Sequence, residues 1–196
     1  MKKVLIAAAI GMLVAGQVAA QESPWLVRAR AVKLNMTNHD STPLNLSADD
    51  KTIPEVDVSY FFNKNVAAEL ILTIPQQQKV YVSGVDSGTF KHLPPTLTIQ
   101  YHFTNFNGYK PYVGAGLNFT KISQENIANH AYHLDSKSYG YALQAGVDVP
   151  VTKQVSLNFD IKKVQIQTQV YNSSNVSQGT LRLDPVVIGV GIGYRF

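Results

Sequence analysis

This 196-residue sequence predicts an all-β fold: an eight-stranded antiparallel up-and-down transmembrane β-barrel with short turns at one end and long loops at the other. Three observations predict it. Apolar and polar residues alternate with period two along most of the chain. The connections between these segments are long and short in turn. The composition is 45% hydrophobic and only 15% charged, with 10 Tyr, 8 Phe, 13 Gly and 0 Cys. Such a chain is too apolar to be disordered, while a mean hydropathy of −0.05 is too low for a bundle of membrane helices. The lack of Cys excludes disulfide frameworks, thiolate zinc sites and cysteine nucleophiles.

The first twenty residues read as an address. Lys2 and Lys3 precede an apolar stretch from Val4 to Gly16, and Val18, Ala19 and Ala20 form a small-residue exit. This is the pattern of a secretory signal peptide cleaved after Ala20, which leaves residues 21–196 as the mature domain. Removing two Lys and no acid lowers the basic count from 17 to 15 against 13 acids, a nearly neutral +2. No run of Lys or Arg is interleaved with aromatics, so a nucleic-acid partner is not expected.

Eight strands follow, at 24–37, 53–62, 66–76, 95–104, 110–122, 136–149, 154–170 and 180–196. In the first, Trp25, Val27, Ala29 and Ala31 oppose Arg28 and Arg30. In the second, Val56, Val58, Tyr60 and Phe62 oppose Glu55, Asp57 and Ser59. The third carries Glu69 and Ile71 on one parity. In the fourth and fifth, Leu97, Ile99, Tyr101 and Phe103 face away from Gln100 and His102, and Val113, Ala115, Leu117 and Phe119 from Gly114, Gly116 and Asn118. In the sixth, Tyr139, Tyr141, Leu143, Ala145, Val147 and Val149 oppose small or polar residues. In the seventh, Val155, Leu157, Phe159 and Ile161 oppose Ser156, Asn158, Asp160 and Lys162. The last sets Val186, Ile188, Val190, Ile192, Tyr194 and Phe196 against Val187, Gly189, Gly191, Gly193 and Arg195.

The connections are long at 38–52, 77–94, 123–135 and 171–179, and short at 63–65, 105–109 and 150–153. In an antiparallel meander these sets lie at opposite ends, as in outer-membrane barrels with short periplasmic turns and long external loops. The last strand decides which face meets lipid. Eight strands leave a bore only just filled by side chains, so the glycine-rich face suits the interior and the bulky face the bilayer.

The segments AELILTIP (68–75), HLPPTL (92–97), YKPYVGAGLNFT (109–120), GVDV (146–149) and RLDPVVIGVGIGYRF (182–196) resemble, in order and spacing, the OmpW family of Gram-negative outer-membrane proteins. The resemblance covers essentially all of the mature chain. It implies residence in the outer membrane and a passage for small hydrophobic molecules. It also implies that Tyr194, Arg195 and Phe196 form the terminal signal read by the barrel-assembly machinery, with Tyr194 and Phe196 its aromatic elements.

Along the longer strands the faces exchange polarity. Beyond Lys162, Lys163, Gln165, Gln167 and Gln169 take the outward parity, while Val164, Ile166 and Val170 take the inward one. Residues 24–36 repeat the change, with Lys33 and Asn35 outward and Val32, Leu34 and Met36 inward. Leu181 and Leu183 are inward opposite outward Arg182 and Asp184, and Lys121 and Ile122 follow the same scheme. The barrel is therefore expected to extend beyond the membrane, polar outside and apolar inside. Val32, Leu34, Met36, Ile71, Ile122, Val164, Ile166, Leu181 and Leu183 are the candidate hydrophobic vestibule, or else simply the core that fills the upper barrel. A β-bulge near Ile161 or Ala31 is the competing explanation of the parity change. Val80, Tyr81, Val82, Val85, Phe90, Ile127, Tyr132 and Leu134, in the long loops, are placed to cover or narrow the mouth.

Below the exchange, Arg28, Arg30, Glu55, Asp57, Glu69, Asp148, Asp160, Lys162 and Arg195 point inward, where charges must pair. They are read as a charge plug that leaves no open aqueous pore. An apolar solute would then leave sideways into the bilayer. Pro75 and Pro185, which lack a ladder N–H, mark a candidate lateral gap, or simply end their strands. Ile71 fits an apolar constriction like that of the resembled family, whereas Lys162 stands where an aromatic would complete it.

Catalysis is not expected. Of His39, His92, His102, His130 and His133 only the last two are close in sequence, with no carboxylate at catalytic spacing. His130, His133 and Asp135 could ligate a metal, but such spacing is common in loops, so no metal or cofactor is expected. Outward Lys33, Lys121, Lys163 and Arg182 are placed to meet lipopolysaccharide phosphates. A structural or receptor role, with loops binding other proteins or phage and no transport, is the alternative to passage.

Overall fold

The computed structural model describes residues 23–196. The signal peptide and its cleavage site lie outside the described residues.

Fifteen strands are present: β1 (Trp25–Asn35), β2 (His39–Asp40), β3 (Leu46–Ala48), β4 (Lys51–Phe61), β5 (Val66–Thr73), β6 (Gln76–Val82), β7 (Val85–Leu93), β8 (Thr96–His102), β9 (Lys110–Ile127), β10 (Tyr132–Leu134), β11 (Lys137–Pro150), β12 (Val155–Val164), β13 (Gln167–Asn172), β14 (Ser177–Arg182) and β15 (Val186–Arg195). Eight of them, β1, β4, β5, β8, β9, β11, β12 and β15, pair in that order, each antiparallel to its neighbours. The ring closes where β15 returns to β1, from Leu26↔Arg195 to Asn35↔Val186. Closure leaves no unpaired edge, which a bilayer requires because its core offers backbone groups no water.

The bulky parity faces outward. Leu117, Tyr139, Leu143, Phe159, Ile161, Ile188, Val190 and Ile192 are all exposed, Leu117 and Tyr139 at 73% and 70%. Around the periplasmic end, edge-to-face aromatic pairs form a girdle: Trp25–Tyr60, Tyr60–Phe62, Tyr101–Phe103 and Tyr194–Phe196, with centroids 4.9–5.4 Å apart. Phe119 and Tyr139, 5.2 Å apart on paired strands, mark the outer edge of the apolar band. One step above them Lys121 pairs with Lys137.

The glycine-rich parity faces inward because the bore is crowded. A Cβ on Gly191 would lie 2.1 Å from the Ala29 carbonyl oxygen and 2.8 Å from Arg30 Cα. Gly146 gives way in the same manner to the Tyr112 ring, whose Cζ would be 2.4 Å from an added Cβ.

The outer connections are more ordered than a reading as loops allows. The segment 77–94 is mostly the β6–β7 hairpin, turned at Ser83 and Gly84, both with positive φ. Segment 38–52 contributes β2, β3 and the start of β4; 123–135 holds the end of β9 and β10; and 171–179 joins β13 to β14. β3 pairs with β6, β7 and β10 with β9, β10 with β13, and β14 with β2, so the ring continues outward as a second, extracellular storey. The 18 residues of β9 run through both. At about 3.3 Å per residue and a tilt near 45° they rise roughly 40 Å, against an apolar band of about 25 Å.

The parity exchange involves no bulge at Ala31 or Ile161. The same parity stays buried through Arg28, Arg30, Val32 and Leu34, and through Lys162, Val164, Ile166, Thr168 and Val170. The inward parity does shift at Ile74–Pro75, between β5 and β6: inward Glu69 and Ile71 are followed by inward Gln76, Gln78 and Val80, one residue out of step.

Candidate functional site

The interior consists of two stacked layers of opposite character. In the lower layer eight charged side chains form one connected network. Arg28 reaches Asp148 (Nη2–Oδ2, 2.7 Å), Asp57 (3.2 Å) and Glu69 (3.4 Å). Arg30 reaches Asp57 (2.8 Å), Glu55 (2.9 Å) and Glu69 (3.2 Å). Lys162 bridges Glu55 (2.7 Å) and Asp160 (2.8 Å). All eight are buried.

Five carboxyl groups here face three cations, and neutral donors supply further hydrogen bonds. Gln144 Nε2 and Thr98 Oγ1 donate to Glu69 Oε2 at 2.8 and 3.1 Å. Tyr112 donates its hydroxyl proton to Asp160 Oδ2 at 2.7 Å, and Asn158 Nδ2 donates to Asp148 Oδ1 at 2.8 Å. Charges so buried are tolerable only when each is paired and its remaining lone pairs or protons are hydrogen-bonded.

Tyr112, Asn158, Gln144 and Thr98 are the members that charge counting along the sequence passes over. Their signal is inward parity at the height of the charges. Tyr112 also stacks on His102, centroids 5.0 Å apart, and carries the Arg28 guanidinium over its ring. Arg195 lies lower, at the periplasmic mouth, its guanidinium over the Phe61 ring and its Nε donating to the Ser23 carbonyl at 2.9 Å. Below the network a periplasmic funnel of about 870 Å³ opens, lined by Leu26, Phe61, His102, Lys64, Lys153 and Arg195 among others.

In the upper layer the inward residues are mostly apolar. Val32, Leu34, Ile122, Val164, Ile166, Leu181 and Leu183 are buried in one cluster, with Met36 partly buried against it. The outer strands contribute Val80, Phe90, Ile127 and Leu134 to the same cluster. Tyr81 and Val82 are half-buried, and Val85 is exposed at the hairpin tip. Ile71 is buried at the boundary between the layers. Here a cavity of about 30 Å³ lies among Ile71, Thr73, Pro94, Val164, Pro185 and Lys162. It marks the seam where oily contents meet charged ones.

The prolines sit beside this seam. Between Ile71↔Thr96 and Gln76↔His92 no ladder pair forms, and Pro75, Pro94 and Pro95 occupy the break. On the other flank the β4–β5 ladder ends at Glu55↔Thr73, beyond which Thr73 Oγ1 donates to the Pro54 carbonyl. At Pro185 the backbone is bridged instead: Val164 N–H donates to the Pro185 carbonyl (3.1 Å) and Leu183 N–H to the Ile166 carbonyl (2.9 Å).

Buried polar side chains also lie inside the apolar layer, Gln78 and His92 among them. Gln78 and His92 are fully buried, with Gln78 Nε2 3.3 Å from His92 Nε2. Burial, with the Lys51 charge nearby, pushes the His92 pKa down to about 4, so its ring is neutral at ordinary pH. The strand break at Ile74–Pro75 brings Gln78 inward, where uninterrupted alternation points it out. Among the described residues no group of three or more His, Asp or Glu is placed to hold a metal ion. His133 instead stacks on Tyr171 with centroids 5.4 Å apart.

Outward Lys33, Lys121 and Arg182 are exposed above the apolar band. Lys163 is half-buried, with Nζ donating to Thr37 Oγ1 at 2.7 Å.

Comparison with known proteins places this geometry. Residues 15–196 match the OmpW family. The uncharacterized outer-membrane protein y4mB of Sinorhizobium fredii is 41% identical over 191 residues, covering 91% of this chain and 82% of the relative. The dibenzothiophene metabolism operon protein PahQ of Pseudomonas aeruginosa is 26% identical over 191 residues, covering 90% of each chain. The crystal structure of the outer membrane protein OprG from Pseudomonas aeruginosa superposes with a TM-score of 0.76 at 23% identity, covering 90% of this chain and 98% of that one. A closed eight-stranded barrel with lipid-facing aromatics, matched by the family along its whole described length, is thus an outer-membrane protein belonging to the OmpW family.

Proposed function

We propose that the protein is a passage for small hydrophobic molecules, taken up from outside and released sideways into the outer membrane, and that it acts by binding and not by catalysis. The observation that carries this reading is the change of interior character, from the apolar cluster around Val164, Ile166, Leu181 and Leu183 to the charge network below. An apolar solute gains by entering the upper layer, about 25 cal/mol for each Å² of apolar surface removed from water. It meets a floor of ion pairs that it cannot solvate. The nearest exit in this reading is the ladder break at Pro75, Pro94 and Pro95, of which Pro94 lines the seam cavity. The name of the relative PahQ, a dibenzothiophene metabolism operon protein, supports an apolar aromatic as one class of solute.

In this reading Tyr194 and Phe196 serve the barrel-assembly machinery during biogenesis. Lys33, Lys121, Lys163 and Arg182 meet lipopolysaccharide phosphates and hold the barrel at its depth.

The close packing of the upper cluster favours a second reading, in which it is only a core and the extracellular strands bind another protein or a phage. Naphthalene uptake by cells separates the two. Val164→Lys and Leu183→Lys each place an ammonium in the cluster, and passage predicts a loss of uptake of about tenfold or more. Unchanged uptake, with both variants folded and inserted, overturns passage and leaves the receptor reading.

A further inference from the structure

Gln78 and His92 form a hydrogen-bonded polar pair inside the apolar layer, and they are incompletely satisfied. Gln78 lies opposite Phe90 on the β6–β7 hairpin, and His92 lies between Gln76 and Ile122. Phe90, 5.9 Å from the His92 ring between centroids, and Val80 are themselves fully buried. Within the protein, Gln78 Oε1 and His92 Nδ1 have no hydrogen-bond partner.

The chemistry of the pair does not depend on which way the amide is turned. If Gln78 Nε2 donates to the lone pair of His92 Nε2, the ring proton sits on Nδ1. The unused groups are then one N–H donor and the amide oxygen acceptor. If the amide is turned so that its oxygen accepts from Nε2–H, the unused groups are the amide NH₂ and the Nδ1 lone pair. Either arrangement leaves at least one donor and one acceptor side by side in an apolar surround. A buried donor or acceptor left unmade is costly, so these adjacent unused groups favour an entering molecule that carries both functions.

We propose that Gln78 and His92 bind the hydroxyl or protonated carboxyl group of an otherwise apolar molecule, whose hydrocarbon part lies among Phe90, Ile122 and their neighbours. A hydroxyl offers one proton and two lone pairs and matches both unused groups at once. An alkane of the same length offers neither. The inference rests on the passage reading and adds to it a substrate class: monohydroxylated or acidic hydrophobic compounds in preference to bare hydrocarbons.

The test uses the full-length protein, 1-octanol and n-octane. Cells producing wild type are compared with cells producing Gln78→Leu/His92→Leu, which removes both partners together and leaves no orphaned polar group. Wild type is expected to take up 1-octanol faster than n-octane relative to cells without the protein. The double variant should lower 1-octanol uptake about tenfold and leave n-octane uptake nearly unchanged. Equal effects on both solutes overturn the inference while passage stands. Protein-independent uptake of both overturns passage itself.

A second measurement holds in either case. In nanodiscs, 1-octanol should shift the ¹⁵N resonances of the His92 ring, and n-octane should not. Ring resonances that ignore 1-octanol, or respond equally to both solutes, overturn the inference whether or not the protein transports, and whether or not the double variant folds.

Discussion

Arg28 Nη2 lies 2.7 Å from Asp148 Oδ2, joining side chains 120 residues apart in sequence and three strands apart around the barrel wall. The contact therefore crosses the lumen. With Glu69 accepting from Arg28 and Arg30 on the other side, it makes the lower interior an internal strut.

Removing one end of that strut leaves buried charges without partners. Arg28→Met should destabilise the barrel by about 3–5 kcal/mol, more than any single exposed lysine substitution. Urea unfolding in phospholipid vesicles, followed by the loss of heat-modifiable migration, measures it. A loss below about 1 kcal/mol would show that the ion pairs contribute little.

The bore tolerates no added carbon at Gly191, where a Cβ would meet the Ala29 backbone oxygen at 2.1 Å. Gly191→Val should fail to give folded barrel in refolding yield. Gly108→Ala has open space but a φ of +79°. It should fold with a cost of about 1–2 kcal/mol.

A charge on the lipid face should be expensive only within the apolar band. Phe159→Arg, on the exposed lower face of β12, should cost about 2–4 kcal/mol in vesicle unfolding. Gln169→Arg, on the same parity in β13, should lie within about 0.5 kcal/mol of wild type. Equal costs at the two positions would erase the distinction between the storeys.

His92 makes the outer storey sensitive to acid. Its folded pKa is about 4 against an ordinary 6.5, so the unfolded segment takes up a proton first as pH falls. The stability contributed by the neutral ring is whole above pH 6.5 and shrinks as pH drops towards 4, by about 3 kcal/mol at most. Hydrogen exchange of β6 and β7 amides, corrected for intrinsic rate, should show faster opening across that window in wild type. His92→Gln should show much less.

Alternation made the eight strands and their sidedness legible, since a period of two leaves no freedom once one face is assigned to lipid. The same parity carried Val32, Leu34, Val164 and Ile166 from sequence to interior, because the inward alternation continues unbroken along β1 and across the two residues between β12 and β13. It did not carry Gln78, since the strand break at Ile74–Pro75 moves the inward positions of β6 by one. The β6–β7 hairpin had a local signal in Ser83–Gly84 between Val82 and Val85. Two adjacent positive-φ residues close a two-residue hairpin, and Ser-Gly is a weaker mark of that turn than Asn-Gly.

Tyr112 illustrates a second limit. Its inward parity was readable, but its contacts with His102, Arg28 and Asp160 depend on barrel stagger, which pairs residues of β8, β1 and β12 that no local pattern relates. The lateral break likewise needs three prolines from two segments, Pro75 with Pro94 and Pro95, brought together by the β5–β8 pairing. Pro185 looks equivalent in sequence, yet hydrogen bonds from Val164 and Leu183 span its surroundings.

The central claim is that oily side chains face outward in the lower storey and inward in the upper. The protein has 0 Cys, so single-cysteine variants accept one spin label each. Labels at Leu143, Phe159, Ile166 and Gln169 in lipid vesicles, relaxed by oxygen or by a water-soluble nickel chelate, test it most directly. Oxygen should dominate at Leu143 and Phe159, nickel at Gln169, and neither should reach Ile166. Nickel access at Leu143 and Phe159, or lipid-like oxygen access at Ile166, would contradict the account.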